Sequence, residues 1–478
     1  MALDCQQNWN IMMADNVEKV LSQSRKVDTS VDCRIPTTFP RYSDDSADGQ
    51  KQEQKSRRWT TEPIYLPDEI IIQILEYLAH TRESQRTLAS VCRLSHQWYS
   101  AAVPFLYERP NLYGKNFEPF CRAICPSINL HVRKSPLSRL VRVLDMGGLV
   151  HQGSKSVTAR LLGRTKEGLE EFRAPQASFA VNCLPALAKC ANLGSLDLSL
   201  VSESPPLPDL FRTISHLEKL KTFRLPRSSG FGVHTNPHSI LWPPNLETLA
   251  LSGGIDAHFL HGVVAFPQTV RHIVIEHCPL AKGFAVSHLL RTAVRPLRNL
   301  ESVTIKHMPR LSAHALDDIL FLLPQIRKLS ISVDYITPAV FDEGHFHQFK
   351  DPHLPSLSGP SDPVAQDPSA PLRHENLHTL ELTNSGNPNV EDKISPIDVM
   401  IALDEGTLPR LRVVRAQRTL YWQSNSTSAD SEALADALIE QSKKDWELRV
   451  GEYEAMERQE YEMHERDRGK KVGVWTFD

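Results

Sequence analysis

A short pattern of aliphatic residues, written L-x-x-L-x-L, recurs through the central part of the chain and limits the fold more than any other feature. Its first position falls at residues 193, 220, 246, 270, 300 and 326, so successive copies are 27, 26, 24, 30 and 26 residues apart. Further copies begin at 141 and 377, and Leu411-Val414-Ala416 is a degraded last copy. A unit of this length cannot bury its apolar face alone, so neighbouring units have to stack.

The pattern predicts one strand in each unit, and the segments between the strands predict helices. Residues 312–324 are typical, because Ser312 can cap a helix that is apolar on one side and Pro324 ends it. A strand and a helix per unit build a curved solenoid of the α/β class. The alternative is an ordinary α/β domain whose leucines share this spacing by coincidence. The wider steps, 141 to 193 and 326 to 377, fit a poor repeat near 165–173 and an insertion.

A second signal precedes the repeats, where residues 61–108 are typical of a short helical module. Pro67 suits the first turn of a helix, and Asp68 and Glu69 lie near its positive end. The apolar residues that follow share helical spacing and form one broad face: Ile70, Ile71, Ile74, Leu75 and Leu78. A module of about 45 residues is marginal as an independent fold, so we expect a partner to cover it. The alternative is a helical cap folded onto the first repeat.

This module resembles the F-box family, and residues 140–420 resemble divergent leucine-rich repeats. Leu66-Pro67 matches the opening of the F-box, and Leu88 with Val91-Cys92-Arg93 matches its central segment. Trp98 matches the tryptophan that follows, although here Leu94 to Gln97 separate it from Arg93. Pro104-Phe105-Leu106-Tyr107-Glu108 is similar to the ending of many fungal members. Together the two regions resemble the F-box/leucine-rich-repeat proteins.

The resemblance implies a substrate-recruiting adaptor of an SCF-type (Skp–cullin–F-box) ubiquitin ligase. In that family the F-box binds the Skp adaptor and, through it, cullin, while the repeats hold the protein to be ubiquitinated, here unknown. The residues that the resemblance assigns to adaptor binding are Leu66, Pro67, Glu69, Ile70, Ile74, Leu75, Leu78, Leu88, Val91, Cys92 and Trp98. The alternative is a leucine-rich-repeat scaffold for protein interactions without a role in ubiquitin transfer.

Target-binding residues are expected on the concave side of the solenoid, where the strand residues between the buried leucines point. The candidates are Asp197, Arg224, Thr248, His272, Thr304, Lys328 and Glu381. As a set they are mixed in character and nearly neutral, so they name no ligand class.

The composition favours a chain of the cytoplasm, the nucleus or both that binds neither nucleic acid nor a membrane. The net charge is -3, from 54 basic and 57 acidic residues, which gives no electrostatic reason to expect nucleic acid or a membrane as partner. The sequence has no signal-peptide pattern and no run of 18 apolar residues. Its eight cysteines are scattered, which fits reduced thiols.

No motif for catalysis or for a cofactor is present. The sequence contains no phosphate-binding loop, nucleophile elbow or zinc spacing. His345 and His347 lie beside Glu343, and we interpret them as part of a solvated loop rather than a metal site. No enzyme activity, metal or cofactor is therefore predicted.

These signals divide the chain into five regions. The expected regions are a disordered N-terminus at 1–60, the F-box at 61–108, a helical linker at 109–139, the solenoid at 140–422 with a disordered insertion at 342–373, and a charged C-terminal helix and tail at 423–478. The C-terminal helix could shield the open end of the repeats, which otherwise exposes leucines.

Overall fold

The computed structural model describes residues 66–79, 84–126, 135–149, 154–229, 240–253, 265–342, 373–386, 393–424, 427–450 and 472–478. All of them belong to one unit of the chain, which begins at Leu66. The segment 1–60 and the interior of the insertion lie outside the described residues, as do Glu343, His345 and His347. The expectations of disorder and of a solvated loop for these segments therefore stay predictions.

Three helices make up the N-terminal module: α1 (Asp68–Ala79), α2 (Ser84–Val91) and α3 (His96–Glu108). Ser95 begins α3, because its hydroxyl accepts a hydrogen bond from the backbone N–H of Trp98. The buried core between the helices consists of Ile71, Leu75, Leu88 and Ala102. The predicted linker contains a fourth helix, α4 (Gly114–Ile124), and a short 3₁₀-helix at Pro136–Arg139.

Eleven strands of the described residues form a single parallel sheet, in which each strand pairs with the next one along the chain. A stack of repeats produces this order, since each unit adds one strand beside that of its predecessor. The strands are β1 (Val143–Asp145), β2 (Glu171–Arg173), β3 (Ser195–Asp197), β4 (Thr222–Arg224), β5 (Thr248–Ser252), β6 (His272–Glu276), β7 (Ser302–Lys306), β8 (Lys328–Ser332), β9 (Thr379–Thr383), β10 (Val413–Gln417) and β11 (Gly473–Phe477).

The register of the sheet aligns the apolar residues of the repeats in rows. Leu196 pairs with Phe223 and Phe223 with Leu249, and all three side chains are fully buried. Because successive side chains on a strand point to opposite faces, their neighbours point away from this core. The predicted helical module followed by a leucine-rich-repeat solenoid is therefore confirmed.

Short helices occur in the connections between strands and supply the rest of the core. They are α5 (Lys155–Thr165), α6 (Leu184–Leu187), α7 (Leu207–Ile214), α8 (Gly283–Leu289), α9 (Ile319–Leu322) and α10 (Pro396–Asp404). Helix α8 continues as one turn of π-helix over Leu290–Val294. Buried side chains such as Leu161, Leu210 and Val399 face the inside from these helices.

The helix predicted over residues 312–324 is shorter than expected, since only α9 within this segment is helical and turns precede it. The carboxylate of Asp317 accepts a hydrogen bond from the backbone N–H of Thr337 (2.7 Å) and another from its hydroxyl (2.9 Å). Asp317 is almost fully buried, so these bonds to the following segment compete with local helix formation.

A ladder of backbone hydrogen bonds joins the N-terminal module to the repeats. The residue before a strand donates its N–H to the carbonyl of the equivalent residue one repeat earlier, as Glu170 does to Arg142 (2.8 Å) and Lys221 does to Gly194 (2.8 Å). At the start of this ladder, Arg142 donates to the carbonyl of Glu108, the last residue of α3 (3.0 Å). Helix α3 therefore takes the place of a preceding repeat and fixes the module to the sheet.

Two strands lie where the repeat pattern is weak or missing. Strand β2 is a poor repeat, in the region where the spacing predicts one, and Leu169, Phe172 and Ala174 fill its apolar positions. Strand β11 lies within 423–478, where the sequence predicts only a helix and tail. The region does contain a long helix, α11 (Ser428–Val450), which buries Leu434 and Leu438 and contacts β11.

His374 holds the chain where it re-enters the repeats after the insertion. Its Nε2 lies 2.9 Å from the carbonyl oxygen of Leu323, and its Nδ1 accepts a hydrogen bond from the backbone N–H of Leu377 (3.1 Å). Nδ1 can accept only in the neutral imidazole, so the fold selects the tautomer that is protonated on Nε2. Burial lowers the pKa of His374 from its ordinary value of 6.5.

The free energy of unfolding is expected to fall below pH 6.5, and His374→Gln is expected to weaken that dependence. Above this pH the imidazole is neutral in both states. Below it the unfolded chain takes up a proton that the folded chain does not, until the lowered folded pKa is reached. Urea unfolding of both proteins, at pH values of about 7 and about 5.5, measures the difference. Equal losses of stability in the two proteins would show that His374 does not titrate in this way.

Candidate functional site

A stripe of apolar side chains lies exposed along one side of α1. Ile70 is 42% exposed and Ile74 37%, and Pro67 and Tyr77 are exposed as well. Positions 67, 70, 74 and 77 are three or four residues apart, so they share one side of the helix. We call these four residues the α1 stripe. It faces away from the module's own core, which Ile71 and Leu75 fill from the other side of α1.

The start of α1, where the stripe begins, is fixed by a side chain of α3. The amide nitrogen Nε2 of Gln97 donates to the carbonyl of Leu66 (2.8 Å) and to the Oδ1 of Asp68 (2.7 Å). Gln97 belongs to the residues that separate Arg93 from Trp98 in the sequence. The unusual spacing thus supplies a residue that orients the stripe, and no local pattern in the sequence marks it.

The residues predicted to bind an adaptor are exposed, partly buried or fully buried. Pro67, Glu69, Ile70 and Ile74 are exposed on α1. Five residues are partly buried against the core of the module: Leu66, Leu78, Val91, Cys92 and Trp98. Burial also raises the pKa of the Cys92 thiol, which fits a packing role.

The expectation of adaptor contact has to be corrected for Leu75 and Leu88. Their side chains are buried in the core between the helices, so they hold the module together and cannot touch a partner. The physical reason is that the broad apolar face of α1 has two functions. Its inner part packs on α2 and α3, and its outer part is the α1 stripe.

The seven predicted target-binding residues all lie on strands and are partly exposed. The register places Asp197 beside Arg224 in one row and Thr248 beside His272 in another. Further along these rows lie Thr304, Lys328 and Glu381. The sheet therefore brings the seven residues to one face, the concave face.

Ion pairs on this face include residues that the repeat pattern does not mark. The carboxylate of Glu381 lies 3.0 Å from Nζ of Lys328 and 3.3 Å from Nη1 of Arg415. The carboxylate of Glu276 lies 3.6 Å from both Arg224 and Lys306. Glu276 and Lys306 directly follow the last apolar position of their repeats. They belong to the face because β6 and β7 extend one residue beyond that position.

The described residues contain no group of three or more His, Cys, Asp or Glu side chains that could hold a metal ion. Within the same part of the chain, no helix combines the length and the apolar character needed to cross a membrane.

The fold defines a leucine-rich-repeat protein with a helical module at its N-terminal end. The F-box-like family model matches residues 64–113, which include α1, α2 and α3. F-box protein YDR306C of Saccharomyces cerevisiae is 31% identical over 364 residues, which are 75% of this chain and 67% of that protein. Protein pof5 of Schizosaccharomyces pombe is 28% identical over 363 residues, 75% of this chain and 92% of that protein. The chain belongs to the family of F-box proteins.

Two solved structures resemble this chain at low overall similarity. An internalin (inlF) from Listeria monocytogenes has a TM-score of 0.30 at 14% identity and covers 63% of this chain and 75% of that one. A chain from the yeast complex of Rad7 and Elc1 has a TM-score of 0.29 at 12% identity and covers 73% of this chain and 87% of that one. The repeat architecture itself rests on the strand order and register described above.

Proposed function

We propose that this F-box protein is the substrate-recruiting adaptor of an SCF-type ubiquitin ligase. The α1 stripe docks on the Skp adaptor, and the concave face holds the protein to be ubiquitinated. The observation that carries the proposal is the exposure of the α1 stripe in a module that already has a complete core of its own. Membership of the F-box family supports the same role, because F-box proteins are generally adaptors rather than enzymes.

The chemistry of the stripe fits docking on an apolar helical surface. Removing the exposed part of each isoleucine from water contributes roughly 1–2 kcal/mol. Such apolar anchors are most effective near the centre of an interface, where surrounding contacts exclude water. Glu69 and the partly buried Trp98 would lie around these anchors in the docked module.

The hydrogen-bonded connection between module and repeats supports a positioning role. The hydrogen-bond ladder begins at Glu108 in α3 and continues into the strands, so the module continues directly into the sheet. A target bound to the repeats would stay at a constant distance from the ubiquitin-carrying subunits. Holding the two together raises their effective concentration without any chemistry by this chain.

Ubiquitin transfer to a tethered reporter tests the proposed function without knowledge of the natural target. The full chain is fused to a nanobody against green fluorescent protein and combined with the Skp adaptor, cullin, RING subunit, ubiquitin and its activating and conjugating enzymes. We expect the green fluorescent protein to be ubiquitinated. A double variant of the α1 stripe, Ile70→Asp with Ile74→Asp, should reduce this modification at least about tenfold, because it prevents docking.

The matched control is a second double variant, Ile397→Asp with Ile401→Asp. These isoleucines are 41% and 48% exposed on α10, and they have the same spacing as Ile70 and Ile74. The control should modify the reporter as the original protein does. A complex that assembles with adaptor and cullin but leaves the reporter unmodified would favour the alternative, a leucine-rich-repeat scaffold without a ligase role.

A further inference from the structure

Strand β11 places two aromatic side chains at the C-terminal end of the concave face. Trp475 pairs in register with Arg415, whose row also holds Glu381, and it is 38% exposed. Its indole packs over Gly473. A Cβ atom built on this glycine would lie 3.6 Å from the ring atom Cη2. The guanidinium of Arg415 lies 5.2 Å from the centre of the Phe477 ring. Trp475, Phe477 and Arg415 form a surface that we call the C-terminal patch.

Side chains of this kind often dominate protein interfaces. Tryptophan, tyrosine and arginine are enriched among the residues that contribute most to binding. An arginine that stacks on an aromatic ring is also held in place before a partner arrives, which lowers the entropy cost of binding. Trp475 is partly exposed on the last strand of the sheet, so its indole is accessible to a partner.

The charges of the concave face differ between its two ends. On β1 to β3 the acidic residues Asp145, Glu171 and Asp197 outnumber the single cation Arg173. On β4 to β10 the cations outnumber the acids by four to two; the cations are Arg224, Lys306, Lys328 and Arg415, and the acids are Glu276 and Glu381.

Exposure makes this difference larger at the surface. The side chain of Glu381 is only 16% exposed, whereas that of Arg415 beside it is 42% exposed. Glu276 is likewise nearly buried beneath the more exposed Arg224 and Lys306. A partner that approaches β4 to β10 therefore meets mainly cationic groups, each only partly neutralised by a shared carboxylate.

We propose that the C-terminal patch anchors the recruited protein, and that the bound segment carries an apolar side chain flanked by acidic residues. The inference rests on the proposed function in assigning the target to the concave face. The apolar side chain would pack on Trp475 and Phe477. The acidic residues would face Arg415, Lys328 and the cations of the neighbouring strands, and this complementarity would set the register of the segment.

A library of random peptides, displayed on phage and selected on the full chain, tests the inference. We expect the enriched peptides to combine an aromatic or aliphatic residue with an excess of Asp and Glu. Synthetic copies should bind at least about tenfold more weakly to a Trp475→Ala variant, since truncation of an interface tryptophan has effects of this size. Arg415→Gln should weaken them by about threefold, and less so at high salt.

Arg173→Gln is the matched control, because Arg173 lies in the same row as Arg415 but at the acidic end of the face. It should leave the affinity unchanged. Enrichment of basic peptides, equal binding to all variants, or no enrichment over empty beads would overturn the inference. Arg415→Gln keeps a polar side chain at a partly exposed position and leaves Glu381 paired with Lys328, so its result stands even if Trp475→Ala disturbs β11.

Adaptor binding is measured on the same protein preparations. A chain that binds the Skp adaptor but no acidic peptide would refute the C-terminal patch alone. A chain that binds such peptides through Trp475 but does not bind the adaptor would refute the proposed ligase role and leave the patch in place.

Discussion

Leu75→Asp is expected to unfold the N-terminal module, although Ile74→Asp, one residue away, leaves it folded. The side chain of Leu75 is fully buried among Ile71, Leu88 and Ala102. An aspartate there would bury a carboxylate with no partner and remove an aliphatic side chain from the core. The two effects together lower the free energy of unfolding by about 5 kcal/mol or more. This loss exceeds the total stability expected of a module of this size.

Ile74 lies on the outer side of α1, where a polar side chain stays in water. Ile74 is 37% exposed, so its replacement by aspartate should lower the free energy of unfolding by only about 1 kcal/mol. Hydrogen exchange measured by mass spectrometry compares the two variants helix by helix. We expect Leu75→Asp to lose protection in α1, α2 and α3 while the strands of the distal repeats keep theirs. Equal protection of α1 in both variants would contradict the division of this helix into an inner and an outer side.

The sequence predicts the repeats well because their apolar rows depend on local spacing. Positions such as Leu196, Leu249 and Ile273 fill one buried row, and nothing beyond the repeat length is needed to find them. Strand β2 is harder to recognise, because small Ala174 takes the place of a leucine. Strand β11 is hard to recognise, since Thr476 pairs with Ala416 at the last apolar position of the repeat.

The candidate surfaces could be predicted only in part, since they depend on packing between distant segments. The spacing of Ile70, Ile71, Ile74 and Leu75 shows one apolar face, but only the position of α2 and α3 shows which of them remain exposed. The hydrogen bond from Gln97 to the carbonyl of Leu66 joins residues that are 31 positions apart in the sequence. The C-terminal patch is equally non-local, because it exists only once β11 pairs with β10.

The second large effect concerns adaptor affinity, which depends on the α1 stripe. Ile70→Asp with Ile74→Asp would place two carboxylates in an apolar interface and remove both anchors. A loss of about 3 kcal/mol or more follows, which weakens binding at least about 100-fold. The α10 double variant, Ile397→Asp with Ile401→Asp, makes the same chemical change at similar exposure and should bind as the original chain does.

Calorimetric titration of the full chain with purified Skp adaptor measures this affinity directly. The account predicts tight binding by the original chain and by the α10 double variant, and little or none by the α1 double variant. Circular dichroism of the three proteins should be the same, because all four substituted positions are exposed. No binding by the well-folded original chain, or equal binding by the α1 double variant, would contradict the assignment of the α1 stripe as the adaptor-docking surface.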